Sequence, residues 1–231
     1  MSSLVIQNPW WMGSERIESD RHIVDFNDST IKWDPRIRRF FDLDSRAIYT
    51  LRGPRQVGKT TLVKLMIGRL LRGGVSPRRI FYYTCDLVEG PSKLVSIIEE
   101  YLGYSDRFSD TTRFIFLDEI SAVRDWQKGI KYLSDLGSLS NSTVLMTGSH
   151  NLDIRSAAER LPGRRGRTEQ SVDKILLPMK FAEYIESRDE ELGNMLRDLD
   201  LLRFDRRKRI IEDLEKGIVP QIVKDINIHF D

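Results

Sequence analysis

Apolar residues in this chain fall into short, nearly continuous runs separated by stretches with helical spacing. Ala47-Ile48-Tyr49-Thr50-Leu51, Ile80-Phe81-Tyr82-Tyr83-Thr84-Cys85, Arg113-Phe114-Ile115-Phe116-Leu117 and Thr143-Val144-Leu145-Met146-Thr147 each predict a strand. A fifth strand is predicted between Ser171 and Leu177, stopped by Pro178. Between them, Leu62, Leu65, Met66 and Leu70 predict a helix from Lys59 to about Leu71, closed by Gly73-Gly74. Pro91 opens a helix carrying Leu94, Val95, Ile98 and Leu102. Trp126, Ile130, Leu133 and Leu136 predict another from about Asp125, ended by Gly137. Residues 150–160 also read as helical, up to the break at Leu161-Pro162-Gly163. Strands alternating with helices predict an α/β domain with a mostly parallel sheet and right-handed crossovers. Periodicity alone leaves the strand order open.

The two ends are less regular. Residues 1–45 hold Trp10, Trp11 and Trp33, three of the four tryptophans, and predict an arm packed on the core, with one helix from Pro35 to Phe41. Its tryptophans are expected to pack rather than to line a base pocket. Residues 46–184 form the core. Residues 185–231 read as mostly helical: Leu192, Met195, Leu196 and Leu199 make an amphipathic stripe, and Gly217 and Pro220 break the apolar positions beyond it.

Composition narrows the picture. With 40% hydrophobic and 31% charged residues in 231, a folded core is expected. A net charge of +2 makes the chain no polycation, so any nucleic-acid surface must come from local clusters. The single cysteine, Cys85, forms no internal disulfide and no multi-cysteine zinc site. No run reaches about 18 apolar residues and no secretory pattern opens the chain, which together predict a cytoplasmic protein without a membrane span.

Gly53-Pro54-Arg55-Gln56-Val57-Gly58-Lys59-Thr60 matches the phosphate-binding loop G-x-x-x-x-G-K-[ST] in full, after a predicted strand and at the start of a predicted helix. The glycines let backbone approach a phosphate chain, and the loop amides and helix N-terminus face its oxygens. Lys59 is then the charge for the β- and γ-phosphates and Thr60 the hydroxyl for magnesium, with Thr61 following in the helix. Arg52 and Arg55 flank the loop, to help hold phosphate, to reach a neighbouring subunit, or as solvated surface arginines.

Phe114-Ile115-Phe116-Leu117-Asp118-Glu119 is an apolar strand ending in two acids, the pattern that partners such a loop. Asp118 is the candidate for the magnesium shell, and Glu119 for accepting a proton from an attacking water or orienting it. After the fourth strand, Ser149 is the first choice to contact the γ-phosphate or to orient water, ahead of Thr147 and His150. Arg160, Arg164, Arg165 and Arg167 crowd the segment 160–167, where a guanidinium suits either a phosphoryl-transfer site or a nucleic-acid backbone.

Taken in order, Leu51 to Thr61, Phe116 to Ile120, Thr147-Gly148-Ser149, Leu161-Pro162-Gly163-Arg164 and Leu177-Pro178-Met179-Lys180-Phe181-Ala182-Glu183-Tyr184 resemble the AAA-like ATPases of archaea and bacteria that are related to the signalling, STAND-type P-loop ATPases. The resemblance covers residues 47–184. It implies an additional-strand core with sheet order 5-1-4-3-2, Ser149 at the sensor position and Arg164 as a functional arginine, in its own subunit or on a neighbour. It also implies a helical lid or the start of a winged-helix region in residues 185–231. His150 stands where a serine is common and Met179-Lys180 where Leu-Ser is usual.

The expected activity is therefore magnesium-dependent ATP hydrolysis driving a conformational change. The sequence has no Asn-Lys-x-Asp element for guanine, and the Asp118-Glu119 pair suits water better than a metabolite acceptor. The alternative is an ATP-switched module that binds DNA or a protein partner, or assembles with its own copies. Arg36, Arg38 and Arg39, and Arg203, Arg206, Arg207, Lys208 and Arg209, are its candidate DNA contacts.

Overall fold

The computed structural model describes residues 3–105, 111–149, 171–198 and 204–217. The chain divides into two units, one of residues 1–28 and 34–177, the other of residues 29–33 and 178–231.

The first unit opens with short helical turns. α1 (Ser3–Gln7) leads into 3-10 turns at Pro9–Met12 and Ser14–Ser19, then α2 (Arg21–Asp28). The predicted helix near Pro35 is a single 3-10 stretch, Arg36–Phe40. From there the alternation read from the sequence holds: β1 (Ile48–Arg52), α3 (Lys59–Arg72), β2 (Ile80–Thr84), α4 (Pro91–Tyr104), β3 (Arg113–Asp118), α5 (Trp126–Asp135), β4 (Ser142–Gly148) and β5 (Asp173–Ile175). Leu136, expected on the buried stripe, caps α5 and is exposed, whereas Trp126, Ile130 and Leu133 are buried. The helix expected over residues 150–160 lies outside the described residues.

The strands form one sheet in the order β2-β3-β4-β1-β5, and every pairing in it is parallel. This is the 5-1-4-3-2 order that the resemblance implies. All residues of β3 and β4 are buried, because helices cover both faces of a parallel sheet. Chain connectivity places β4 between β1 and β3, so the carboxyl ends of these three strands meet at the point where the strand order reverses.

β2 is an edge strand, and the N-terminal arm covers it with side chains. The Asn8 carboxamide copies a strand: its Oδ1 accepts from the Tyr82 amide at 2.7 Å and its Nδ2 donates to the Tyr82 carbonyl at 2.9 Å. Gln7 Oε1 accepts from the Thr84 amide at 2.8 Å, and the indoles of Trp10 and Trp11 both donate to the Ile80 carbonyl. Trp11 also stacks with Phe81, Tyr101 and Tyr104. These tryptophans pack, as expected, and they close a ladder that would otherwise face another chain.

In the second unit, the helix Phe181–Arg188 starts where the Lys180 amide meets Glu183 at 2.9 Å and packs against the helix Glu190–Asp198. Ile185 and Leu192 are its buried centre, flanked by Tyr184 and Leu196. A Cβ on Gly193 would lie 2.4 Å from Glu186 Cα, so glycine sets how closely these helices approach. Met195, expected on the stripe, is exposed because the partner helix reaches one side only; Leu199 lies outside the described residues. The helix Phe204–Glu215 follows.

Asn8→Ala leaves the Tyr82 amide and carbonyl unpaired and should cost about 2–4 kcal/mol, read as a lower urea midpoint. Burial, reinforced by the charges of Asp118 and Asp86, pushes the Cys85 thiol well above its ordinary range. Cys85 should therefore resist maleimide at neutral pH until denaturant unfolds the protein, as followed by mass spectrometry.

Candidate nucleotide site

β1 ends at Arg52, in register with Gly148 on β4 and Ile175 on β5, and the loop Gly53 to Gly58 begins there. Gly53 is required by contact: a Cβ would stand 2.4 Å from the Leu176 carbonyl oxygen. Gly58 is required by conformation, since its φ is 94° and a Cβ there would meet nothing within 4 Å. Gln56 also turns with a positive φ of 60°. Pro54, Arg55 and Gln56 are exposed, while Val57, Gly58, Thr60 and Thr61 are half-buried. No side chain caps α3 at Gly58, so its first-turn amides are left to the loop interior.

Lys59 is buried, and its ammonium donates to the carbonyls of Gly53 (3.0 Å) and Pro54 (2.9 Å) and to Ser149 Oγ (2.8 Å). The Glu119 carboxylate lies 3.5 Å away. Ser149 holds that carboxylate with two donors: its hydroxyl to Oε1 at 2.7 Å and its amide to Oε2 at 3.2 Å. The Glu119 backbone is left-handed, with φ 51° and ψ 43°, and its amide donates to Thr147 Oγ1 at 3.0 Å. A non-glycine residue held there marks a turn that the surroundings enforce.

Asp118 ends β3 and is buried. Its carboxylate accepts three hydroxyls: Thr60 at 2.7 Å and Tyr82 at 3.0 Å on Oδ2, and Thr147 on Oδ1. Burial first, and then the Asp118 charge, push the Tyr82 phenol far up, so it stays protonated and donates. The Thr60 hydroxyl beside a single carboxylate is the donor set expected of a magnesium site completed by phosphates and water. Among the described residues no cluster of three or more His, Cys, Asp or Glu competes with it.

The structure thus brings Lys59, Thr60, Asp118, Glu119 and Ser149 together, as the spacing suggested. Thr147, ranked below Ser149 from sequence, links the Asp118 carboxylate to the Glu119 amide. Tyr82 was not anticipated; the only signal was a phenol in a strand paired with β3, at Tyr82↔Phe116. Arg164 and His150 lie outside the described residues. Arg55 is exposed, but Arg52 is not the solvated arginine considered from sequence: its Nε is buried without a hydrogen-bond partner among the described residues.

A family model described as an AAA domain matches residues 45–185, more than half of the chain. The chain belongs to the AAA domain family. The matched segment includes the loop Gly53–Thr60 and the strand end that carries Asp118 and Glu119. No curated protein matches the sequence. Among solved structures, the Aeropyrum pernix ORC1 protein, determined in complex with DNA, is 15% identical with a TM-score of 0.47, over 97% of this chain and 69% of that one. The C. elegans PCH-2 structure is 14% identical with a TM-score of 0.39, over 85% of this chain and 47% of that one. No described helix is long and apolar enough to cross a membrane.

The two glycines of the AAA loop should respond differently to alanine. Gly58→Ala should cost about 1–2 kcal/mol, the penalty of a left-handed backbone alone. Gly53→Ala should cost more, because a Cβ there overlaps a carbonyl, and denaturant midpoints of both variants would rank them.

Proposed function

We propose that this AAA domain is a magnesium-dependent ATPase whose turnover drives a conformational change. The observation that carries this reading is the placement of Glu119, held by both donors of Ser149 and 3.5 Å from the Lys59 ammonium, next to an Asp118 carboxylate shared with Thr60. Lys59 exchanges a loop carbonyl for an oxygen of the β- or γ-phosphate. Thr60, with Asp118 through water, would hold magnesium, which when bound neutralises charge on the phosphates. Glu119 accepts the proton of the attacking water as that water's oxygen bonds to the γ-phosphorus and the bond to the ADP oxygen breaks. Ser149 keeps the carboxylate aimed and meets the γ-phosphate. Arg164, in the Gly163-Arg164 pair, neutralises charge developing on the γ-phosphate, in its own subunit or on a neighbour.

The choice of ATP rests on the missing guanine-reading element, and the relation to STAND-type ATPases on the ordered motifs from Leu51 to Tyr184. Residues 185–231 are read as a lid or the opening of a winged-helix region. A DNA-directed switch is the second reading. What favours it is the helix Phe204–Glu215, where Arg206, Arg207, Lys208 and Arg209 are exposed. The arm cluster supports it less, because Asp34 binds Arg38 through both carboxylate oxygens and also pairs with Arg69 at 2.7 Å.

Glu119→Gln should lower phosphate release by about 100-fold or more while leaving ATP affinity close to that of the parent. Equal release by the two proteins would remove Glu119 from its assigned role. Lys59→Ala should instead abolish ATP binding, measured by calorimetry.

A further inference from the structure

Beneath the nucleotide site lies a buried polar chain that phosphate binding does not use. Lys64 is on α3, one turn after Thr60, and its side chain is only 5% exposed. A lysine at that position would ordinarily reach solvent. Here its ammonium sits 3.0 Å from Asp20 Oδ2 and 3.5 Å from the centre of the Tyr82 ring, with the Trp10 ring at 5.2 Å. The other face of this arrangement is the Tyr82 hydroxyl, donating to Asp118 Oδ2 at 3.0 Å. Asp20 immediately precedes α2 and is fixed in turn by the His22 amide at 3.0 Å. Asn8, on the same arm, clamps both backbone polar groups of Tyr82.

Buried ion pairs are weak sources of stability, because desolvation offsets most of their attraction and apolar side chains of equal volume do as well. A core at this place could be built without Asp20 or Lys64. What the pair does supply is direction: the ammonium pins the ring of Tyr82 by a cation–π contact, and the pinned ring aims its hydroxyl at one oxygen of Asp118. That oxygen is also the acceptor for Thr60, so Tyr82 bears on the geometry of both groups assigned above to the metal.

We propose that Tyr82 is a positioning residue for Asp118, and that the N-terminal arm, through Asp20 and Lys64, sets the magnesium affinity of the site. The inference rests on the magnesium-nucleotide reading above. Groups that orient a metal's ligands are worth about 10–100-fold in metal affinity, and Tyr82 belongs to that class.

The test measures binding of a fluorescent ATP analogue to the full chain at a series of magnesium concentrations and again in chelator. Tyr82→Phe keeps the ring and removes the hydroxyl. It should raise the magnesium concentration needed for half-maximal effect by about tenfold and leave binding in chelator unchanged. An unchanged magnesium requirement overturns the proposal, and so does an equal loss of binding with and without magnesium, the mark of a merely structural role. Asp20→Asn combined with Lys64→Met removes both charges at similar volume and should shift the magnesium requirement in the same direction. If it does not, the arm has no part, and this variant also decides the matter if Tyr82→Phe does not fold. Failure of the parent protein itself to respond to magnesium would instead strike at the ATPase reading, and the positioning role would fall with it.

Discussion

The structure turns on a buried carboxylate that must be satisfied. Asp118 ends a strand buried along its whole length, and an unpartnered carboxylate there would be expensive. Its acceptors are met from three directions: α3 through Thr60, β2 through Tyr82 and β4 through Thr147. Each of those elements must therefore arrive in register. The parallel ladder provides this for β2 and β4, and the turn at Gly58 provides it for α3. The site and the fold are in this sense specified by the same hydrogen bonds.

The same requirement explains why Glu119 sits in a left-handed backbone. Leaving β3 in extended form would carry the next side chain onward along the strand. The turn brings it back across the strand ends, where Ser149 can bind it, and Thr147 holds both the turn and Asp118. One hydroxyl on β4 thereby ties the magnesium candidate to the proposed proton acceptor. Substitution of either acid is consequently not independent of the other.

Much of this was legible along the chain, because the loop from Gly53 to Thr60 and the acids after Phe116-Leu117 are local patterns whose chemistry depends on spacing. The strands were equally plain, since a sheet covered on both faces writes continuous apolar runs. Strand order was not; it came only with the family resemblance. In the arm, the turn after Pro35 is legible, but the helical turns between Ser3 and Asp28 are not, because their side chains serve β2 rather than a repeating face. Lys64 was hidden for a related reason. Next to Val63 and Leu65 it looks like a lysine on a wet helix face, and only Asp20 and Tyr82, distant in sequence, make its burial tolerable. Helix ends and stripe ends, as at Leu136 and Met195, depend on where a partner stops.

Asn8 carries the edge of the sheet on a side-chain amide, which is chemically the more perishable kind of amide. Asparagine ages when the next residue's backbone nitrogen attacks the carboxamide and closes a succinimide. The next residue here is Pro9, whose nitrogen is already fully substituted and has no hydrogen to lose. The clamp on Tyr82 is thus built from a residue whose usual route of spontaneous deamidation is closed by its neighbour, and the arm's hold on β2 should outlast that of an asparagine followed by glycine or serine.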